Sequence, residues 1–367
     1  MIVTCFGQEP ESTLWWKLVR EGAESLKELP LHRRFSPHAT KEEATLVVEG
    51  ARPDDATWVS RDELPREIFA PHPLRVPWGF PGWLELALAW IAAHADGLHS
   101  WKEIKSWSLS CVIRAETGRG VVYFKATNQQ PKLFANEALV TQNLAERFPG
   151  RVPMPLAIDP ERGWMLLADF GPDLRTSHGD DATRLALADY APLQQQTLGQ
   201  ETELLAMGCI DRRPAHLAQE VAHLLTQEEA LSTLANDERE KLLSVDWQAR
   251  ISVFADTPCG LVHGDLHTGN IASGMNGLLY FDWTDASVAL PWMDLLEPFF
   301  QKDEEATQSL LASWSTPIPP WKEIAPLIAL HHAVSYHHIH DATEPCVQHE
   351  LGANLPLFLR KAAEFGS

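Results

Sequence analysis

The chain has 367 residues, of which 45% are hydrophobic and 22% are charged, and its formal net charge is −20. This composition is typical of a globular protein long enough for two or three subdomains. The acidic balance argues against binding to nucleic-acid backbones, so we expect no nucleic-acid partner. The longest apolar run, LALAWIAA, is too short to span a bilayer, so we expect no membrane association.

The amino terminus and the cysteines favour a cytoplasmic protein. The first residues, MIVTCFGQEPES, contain no basic segment leading into an apolar stretch, so we expect no signal peptide. The five cysteines are far apart and odd in number, and they form neither a CxxC pair nor a disulfide framework. This pattern indicates a reducing compartment.

Residues 1–75 are expected to form an N-terminal accessory region of unknown role. The stretch TLWWKLVREGAESLKEL is helix-like, ATLVVEG is strand-like, and no catalytic motif occurs among them. The segment APHPLRVPWGFPG, with four prolines and two glycines, predicts an extended connector to the rest of the chain.

Residues 76–168 are predicted to form a small lobe with a β-sheet. WLELALAWIAAHADG predicts a helix that ends at Gly97 and is buried, because it is apolar on nearly all sides. SLSCVIRAETGRGVVYFKAT predicts two strands joined by a glycine-containing turn. An amphipathic helix, KLFANEALVTQNLAERF, follows, and ERGWMLLADFG predicts a short apolar strand that runs into a turn.

Residues 169–367 are predicted to form a larger helical lobe. Helical periodicity dominates from about Ala182 onward, except in an apolar stretch at 261–281. Strands early in the chain and helices later predict an α+β fold with a small sheet lobe and a larger helical lobe.

Two His-Gly-Asp tripeptides occur in the helical lobe, at 178–180 and 263–265. Only the second has an asparagine five residues after its aspartate, because Asn270 follows Asp265 whereas Leu185 follows Asp180. Asp-x-x-x-x-Asn is the spacing of a kinase catalytic loop, in which the aspartate accepts the proton of the substrate hydroxyl and the asparagine holds Mg²⁺. Asp282 lies twelve residues after Asn270 and directly follows the apolar stretch GLLYF. At the end of such a strand its carboxylate can bind the same metal.

The motifs VHGDLHTGN and YFDWTDA resemble those of the aminoglycoside phosphotransferase and choline kinase-like family, which shares the protein-kinase fold. The resemblance covers about residues 83–345. It implies a two-lobed protein-kinase-like fold and an ATP- and Mg²⁺-dependent kinase that phosphorylates a hydroxyl group of a small molecule. In that reading Asp265 is the catalytic base, and Asn270 and Asp282 hold the metal.

The resemblance also implies a nucleotide site. Lys125 ends the apolar run VVYFK and would contact the nucleotide phosphates while paired with Glu137 of the next helix. The loop SWSLSC would cover the phosphates without a GxGxxG motif. The remaining implied cofactor-binding groups are the hydroxyls of Ser108 and Ser110 in this loop and the hinge backbone from Ala168 to Phe170, against the adenine ring.

The tripeptide Asp169-Phe170-Gly171 matches the DFG motif of protein kinases, yet it precedes the catalytic loop. In the family that the chain resembles, the metal-binding aspartate is followed by tryptophan or a similar residue, as Asp282 is. The resemblance therefore places Asp169 at the hinge, as neither metal ligand nor base. The first His-Gly-Asp, at 178–180, is expected to be the polar entrance to a helix, with an aspartate available as its N-cap.

Three further features lead to secondary predictions. Asp294 resembles the aspartate with which kinase-like folds hold the backbone of the catalytic loop, and His267 either contacts phosphate or braces that loop. In HHAVSYHHIHD, the side chains of His337, His340 and Asp341 share one helical face. A helix that lines or flanks the substrate cleft is favoured there over a metal site, because no further ligand is apparent.

Two alternatives to a small-molecule kinase stay open at this point. The chain could be a catalytically silent kinase-like module that binds nucleotide as a sensor or scaffold, although the catalytic side chains are present. A protein kinase is disfavoured, because no Ala-Pro-Glu motif or activation segment follows Asp282. The acceptor is not defined by the motifs, since aminoglycoside-, choline- and sugar-like alcohols all fit the family.

Overall fold

The computed structural model describes residues 2–8, 15–21, 31–39, 43–50, 57–59, 72–80, 82–130, 134–178, 182–274, 277–295 and 319–366. In these ranges no helix is both long enough and apolar enough to cross a membrane. The strands are β1 Ile2–Gln8, β2 Trp15–Glu21, β3 Leu31–Ala39, β4 Glu43–Gly50, β5 Thr57–Val59, β6 Leu98–Ser106, β7 Ser110–Thr117, β8 Gly120–Thr127, β9 Ala157–Asp159, β10 Trp164–Ala168, β11 Ile210–Asp211, β12 Gly260–Val262, β13 Ile271–Gly274, β14 Gly277–Tyr280 and β15 Ser287–Ala289.

The helices of the described ranges are α1 Trp83–His94, α2 Glu137–Arg147, α3 Leu174–His178, α4 Ala182–Gln195, α5 Glu201–Ala206, α6 Pro214–Leu224, α7 Glu228–Leu231, α8 Asn236–Ser244, α9 Trp247–Ser252, α10 Trp321–Asp341 and α11 Asn354–Gly366. The chain divides into two compact units. The sheet unit comprises residues 1–130, 164–169 and 342–350, and the helical unit comprises residues 131–163, 170–341 and 351–367.

The first strands of the chain form a sheet of their own, in the order β3-β4-β1-β2-β5. The helix expected at TLWWKLVREGAESLKEL is therefore wrong over Trp15–Glu21, which is β2 and pairs with β1 on one side and β5 on the other. Intrinsic helix propensity is a weak preference, and pairing with two neighbouring strands overrides it. The boundary of an accessory region near residue 75 stays a prediction, and the sheet unit includes these strands.

A second sheet in the same unit contains β6, β7, β8 and β10, in that order. The two strands predicted from SLSCVIRAETGRGVVYFKAT are confirmed as β7 and β8, which are antiparallel and joined at Thr117 and Gly120. The predicted apolar strand is confirmed as β10, which pairs with β8. Sequence reasoning missed β6, because its residues LHSWKEIKS are largely polar and it pairs with β7 at the edge of the sheet.

Helix α1 packs one face against this sheet through a cluster of aromatic rings. The rings of Trp83, Trp90, Phe124 and Trp164 lie 5.3–6.1 Å apart between centroids, mostly edge to face. The helix predicted here is confirmed, but its burial on all sides is wrong, because Leu86 is 65% exposed. An apolar helix on the outside of a sheet has only one face to cover, so its other apolar side chains stay in solvent.

The helical unit is organised around a single hydrophobic core. Helix α2 begins where the Asn136 side chain accepts a hydrogen bond from Leu139 N, an N-cap that meets one of the unpaired donors of the first turn. Helices α4, α6, α10 and α11 contribute many of the buried apolar side chains, and Trp283 and Trp292 are among the largest in the core.

Two small sheets in this core hold the segment that carries the catalytic motifs. Strands β11, β15 and β12 form one sheet, with β15 in the centre, and β13 and β14 form an antiparallel hairpin. The loop from β12 to β13 contains residues 263–270, and β14 leads directly into Asp282. The predicted strand-like interruption of the helical lobe is thus confirmed, and it consists of several short strands.

Candidate active site

The catalytic-loop motif folds into a compact turn in which Asp265 and Asn270 meet. Asn270 donates two hydrogen bonds from Nδ2, to the backbone oxygen of Asp265 at 2.9 Å and to its carboxylate Oδ2 at 3.1 Å. The turn needs a glycine at position 264, which has φ +83°, and a Cβ there would lie 2.5 Å from the backbone oxygen of Asp285. The Asp-x-x-x-x-Asn spacing therefore brings a carboxylate and an amide together.

His263 connects this turn to the segment that ends in Asp282. Its ring is fully buried, Nε2 donates to the backbone oxygen of Phe281 at 3.0 Å, and Nδ1 lies 3.4 Å from the backbone nitrogen of Asp265. Burial lowers the pKa of His263, which matches a neutral ring with one donor and one acceptor nitrogen. Phe281 N also donates to the backbone oxygen of Asn270 at 3.0 Å, so two hydrogen bonds join the segments.

Asp294 binds the backbone of the catalytic loop through its carboxylate. Its carboxylate accepts hydrogen bonds from His263 N and Gly264 N, both at 2.9 Å, and from the Tyr190 hydroxyl at 2.9 Å. Gln194 Nε2 adds a longer bond at 3.3 Å. The prediction that Asp294 binds this backbone is confirmed. Burial raises the pKa of Asp294 to about 6, against the lowering effect of the hydrogen bonds from His263, Gly264 and Tyr190.

Asp282 adopts a backbone conformation that is rare outside glycine. Its φ is +65° and its ψ is +58°, in the left-handed region, and a turn of 3₁₀ helix, Trp283–Asp285, follows. Its Oδ1 accepts a hydrogen bond from the Thr284 hydroxyl at 2.5 Å. Trp283 is buried beneath it and donates from Nε1 to the backbone oxygen of Tyr280 at 3.0 Å. The buried tryptophan fixes the turn that displays the carboxylate.

His267 lies beside the carboxylate of Asp265. Its Nε2 is 3.5 Å from Asp265 Oδ2, and its Nδ1 accepts from Gly269 N at 2.9 Å and lies 3.1 Å from Nη2 of Arg175. Burial pulls the pKa of Asp265 upward, but the hydrogen bond and charge of His267 outweigh it, so the pKa is lower than usual. The carboxylate is therefore ionised at neutral pH. The His267 side chain braces the loop, as one of its two expected roles requires.

The donor set around this turn fits Mg²⁺. The amide nitrogen of Asn270 is directed at Asp265, which leaves Oδ1 as the atom available to a cation. Mg²⁺ prefers carboxylate and carbonyl oxygens and commonly takes only one or two protein ligands beside phosphate and water. Asn270 and Asp282 supply such oxygens.

The predicted nucleotide-contacting residues of the sheet unit are on or beside its second sheet. Lys125 is half-buried on β8, opposite Val112 and Met165. Ser108 and Ser110 are buried at the β6–β7 turn, where Ser110 Oγ accepts from Trp107 Nε1 at 2.9 Å and the backbone oxygen of Ser108 accepts from Asn128 at 3.1 Å. The Ser110 hydroxyl and the Ser108 backbone are thus part of a hydrogen-bonded turn.

The predicted hinge residues lie at one of the points where the chain passes from the sheet unit to the helical unit. Ala168 ends β10, Asp169 N donates to the backbone oxygen of Val121 at 3.1 Å, and the division falls between Asp169 and Phe170. In the helical unit, the Phe170 ring packs on Phe281, with the centroids 4.9 Å apart.

Glu137, also in the helical unit, is buried in the first turn of α2. Its predicted partner, Lys125, belongs to the sheet unit, so their pairing stays a prediction. The first His-Gly-Asp lies only partly in the described part of the chain. His178 ends α3 and α4 begins at Ala182, whereas Gly179, Asp180 and Asp181 are outside the described residues.

Helix α10 contains the histidine-rich segment and confirms its predicted helical form. His337 Nε2 and His340 Nδ1 each lie 3.5 Å from a carboxylate oxygen of Asp341. In the described residues there is no group of three or more histidine, cysteine, aspartate or glutamate side chains that could hold a metal ion. That this helix lines or flanks the substrate cleft stays a prediction.

Sequence reasoning missed two residues that support the catalytic loop, Tyr190 and Gln194 of α4. Both reach Asp294, and Gln194 also donates to the backbone oxygens of Leu261 and Pro291. They are about seventy residues upstream of the loop, in a helix without a catalytic motif, and no local signal marks them.

The fold and the site define a kinase-like phosphotransferase, and a family comparison identifies which family it is. The model of the phosphotransferase enzyme family, APH, matches residues 100–320, more than half of the chain. The protein therefore belongs to this family. The family predicted from the sequence is confirmed, as is its class of enzyme, a phosphotransferase that acts on alcohol groups. No curated protein matches the chain significantly in sequence.

Solved structures share the fold at low sequence identity. Choline kinase LicA from Streptococcus pneumoniae is 15% identical with a TM-score of 0.52, over 77% of this chain and 98% of LicA. Macrolide 2'-phosphotransferase MphH from Brachybacterium faecium is 17% identical with a TM-score of 0.50, over 75% and 98%. APH(2")-IIia, in complex with GDP and kanamycin, is 17% identical with a TM-score of 0.52, over 75% and 95%. The α+β, protein-kinase-like fold predicted from the sequence is confirmed.

Proposed function

We propose that the protein transfers the γ-phosphoryl group of ATP to a hydroxyl group of a small molecule, with Mg²⁺ as the metal. The observation that carries this proposal is the hydrogen-bonded set formed by Asp265, Asn270 and the segment before Asp282. An ionised carboxylate beside two oxygen ligands is what phosphoryl transfer to an alcohol requires. The structure of APH(2")-IIia is a complex with GDP, which supports a purine nucleotide as donor.

In the proposed reaction, Asp265 orients the acceptor hydroxyl and accepts its proton. The hydroxyl oxygen forms the new bond to the γ-phosphorus, and the bond from that phosphorus to the oxygen shared with the β-phosphate breaks, which releases ADP. His267 keeps Asp265 ionised through its hydrogen bond and charge. Asn270 and Asp282 would hold Mg²⁺, which neutralises phosphate charge when it is bound. Most of the rate acceleration would come from positioning and charge stabilisation.

For the nucleotide, we propose that Lys125 contacts the phosphates and pairs with Glu137, and that the backbone from Ala168 to Phe170 meets the adenine ring. Ser108 and Ser110 would cover the phosphates through their hydroxyl and backbone groups. The half-buried position of Lys125 on a strand supports a role other than simple solvation. The burial of Glu137 also supports a paired role, because an isolated buried carboxylate is costly.

ADP release measured with Mg·ATP and a library of hydroxylated small molecules tests this proposal. At least one alcohol should stimulate ADP release and acquire a phosphoryl group detectable by mass spectrometry. Omitting Mg²⁺ should abolish the stimulation. If Mg·ATP binds but no alcohol is phosphorylated, the protein is instead a silent nucleotide-binding module, the alternative from a different functional class.

A further inference from the structure

The two proposed metal ligands lie at the open end of one hairpin. Strand β13 begins directly after Asn270, and β14 ends two residues before Asp282. The strands are antiparallel with Ile271 opposite Tyr280, and Phe281 N donates to the backbone oxygen of Asn270 at 3.0 Å. The pairing of these two strands therefore sets how far apart Asn270 and Asp282 are.

Strand β14 is an edge strand, because among the described residues its sheet contains only β13 and β14. A two-stranded hairpin is at best marginally stable in water by itself, so this edge needs other partners. The backbone groups of successive residues alternate between the two edges of a strand. Since Phe281 bonds to Asn270 on the β13 side, the backbone groups of Leu278 and Tyr280 face the outer edge.

Arg151 and Asp189 supply the partners of this outer edge. The backbone oxygen of Arg151 accepts from Tyr280 N at 2.8 Å, and Arg151 Nε donates to the backbone oxygen of Leu278 at 3.0 Å. Asp189 Oδ2 accepts from Leu278 N at 3.3 Å and from the Tyr280 hydroxyl at 3.0 Å. The two side chains also bind each other, because Arg151 Nη2 donates to Asp189 Oδ2 at 2.5 Å. Together they take the place of a third strand.

This pair connects the hairpin to α4, the helix that also supports the catalytic loop. Asp189 is on α4, and the next residue, Tyr190, donates its hydroxyl to Asp294 at 2.9 Å. The ring of Tyr190 also packs on the ring of Tyr280, with 5.0 Å between centroids. One helix therefore contacts both the support of the loop that carries Asp265 and the hairpin that carries the two proposed metal ligands.

The closed end of the hairpin packs tightly against the same residues. A Cβ at Gly274 would lie 3.3 Å from the backbone oxygen of Gly150, the residue before Arg151. A Cβ at Gly277 would lie 3.3 Å from Asp189 Oδ1. Both contacts would be closer than most Cβ atoms allow, so the two glycines let the hairpin lie directly on the pair. The hairpin is thus held along its length and not only at one point.

We infer that Arg151 and Asp189 are positioning residues that fix the separation of Asn270 and Asp282, and so set the affinity of the site for Mg²⁺. This inference rests on the proposed kinase function. Residues that orient metal ligands without touching the ion commonly contribute roughly 10- to 100-fold to metal affinity. Arginine suits this role because its planar fork donates to the Leu278 oxygen and to Asp189 at the same time.

The test measures metal binding directly, without turnover. Mn²⁺, which prefers the same oxygen ligands as Mg²⁺, is titrated into the full-length protein with ADP, and the electron paramagnetic resonance signal of unbound Mn²⁺ is followed. Asp189→Ala removes the acceptor of three donors, so the Kd for Mn²⁺ should rise roughly 10- to 100-fold. Arg151→Lys is the milder variant: it keeps the charge but loses the planar fork, and should raise the Kd at least about three-fold.

Asp211→Ala is the matched control, because Asp211 accepts two hydrogen bonds from the side chain of Arg213, at 2.9 and 2.6 Å, in another small sheet of the same unit. This variant loses a comparable ion pair that does not contact the hairpin, so its Kd for Mn²⁺ should stay within about two-fold of wild type. A similar rise of the Kd in Asp211→Ala and Asp189→Ala would overturn the inference, since any destabilised variant would then lose the metal.

Two further measurements separate this inference from the kinase proposal. Calorimetry with ADP and EDTA should give the same Kd for ADP, within about two-fold, in wild type and Asp189→Ala, because only the metal ligands are displaced. If Asp189→Ala and Arg151→Lys melt at lower temperature but bind Mn²⁺ as wild type does, the pair is merely structural and the inference alone is wrong. If the wild-type protein with ADP binds no Mn²⁺, the proposed metal site itself is wrong, and the inference with it.

Discussion

Two aspartates of this protein follow short apolar strands, and their surroundings differ completely. Asp169 follows β10 in the tripeptide Asp-Phe-Gly, and its backbone nitrogen continues the sheet by donating to Val121. Asp282 follows β14 in the tripeptide Asp-Trp-Thr. Its backbone is in the left-handed region, and its carboxylate accepts a hydrogen bond from the Thr284 hydroxyl. The aspartate whose tripeptide matches the familiar kinase motif is the one with an ordinary strand-end position.

The two aspartates differ in what holds their turns, and this difference supports the proposed metal role of Asp282. Beside Asp282, the buried ring of Trp283 packs on His263 with 4.5 Å between centroids, and the ring of His263 bonds to Phe281. His263 is part of the same catalytic loop as Asp265. The carboxylate of Asp294 accepts hydrogen bonds from the backbone of this loop, at His263 N and Gly264 N. Rigid elements position a carboxylate more reproducibly than a loop does, which suits phosphoryl transfer.

The largest expected effect belongs to Asp265, the proposed general base. Asp265→Ala should lower kcat by roughly 10²- to 10⁴-fold, because the acceptor hydroxyl loses its general base. Binding of Mg·ATP, measured by calorimetry, should stay within a few-fold of wild type. Asp180→Ala, in the other His-Gly-Asp, serves as the control and should keep near-normal turnover. An inactive Asp180 variant beside an active Asp265 variant would reverse the assignment.

Asp282→Asn should abolish most transfer, by about 10³-fold, because metal ions contribute several kcal/mol of transition-state stabilisation. Unlike Asp265→Ala, this change should also weaken the binding of Mg·ATP, since a neutral amide balances the cation poorly. A titration of activity with Mg²⁺ provides the measurement. The same Mg²⁺ dependence in wild type and variant would show that Asp282 is not a metal ligand.

Asp294→Asn tests the support of the catalytic loop and should destabilise the protein by about 1–3 kcal/mol, because an amide replaces an acceptor for buried donors. The folded-state pKa of Asp294, about 6, is higher than its ordinary value of 3.8. Its contribution to stability is therefore fully present below pH 3.8 and declines as pH rises through 6.

The stability difference between the wild-type protein and Asp294→Asn is expected to depend on pH. Melting temperatures of wild type and variant, taken at about pH 5 and about pH 7.5 on either side of the folded-state pKa, should differ more at the lower pH. A gap that widens toward the higher pH would show that the ionised carboxylate is the form that the fold prefers, contrary to the burial of Asp294.

The smallest effect is expected at the other aspartate of the comparison. Asp169→Asn should change kcat and the Mg²⁺ dependence by no more than about three-fold, because its proposed hinge role is carried by backbone groups, which the substitution keeps. Steady-state kinetics at several Mg²⁺ concentrations would measure it. A large loss of Mg²⁺-dependent activity in this variant would break the comparison and return the metal role to the Asp-Phe-Gly motif.

Much of the candidate site was predictable because its residues are close together in the sequence. The spacing from Asp265 to Asn270 and the strand that ends at Asp282 are local features, and the chemistry of phosphoryl transfer needs those side chains in that order. The strands β7 and β8 were equally readable because they are rich in β-branched residues on either side of a glycine-containing turn, and β10 was readable as a short apolar run.

Only the tertiary structure decided the rest, because it depends on residues far apart in the chain. The helix-like sequence of β2 forms a strand because it pairs with β1 and β5. Leu86 of α1 is exposed because the helix packs only one face against the sheet. The contacts of Tyr190 with Asp294, across about a hundred residues, and of Arg212 with His338 follow no local pattern. Which side chains are buried and which distant groups they contact depends on how the whole chain packs, so these properties cannot be predicted from a local stretch of sequence.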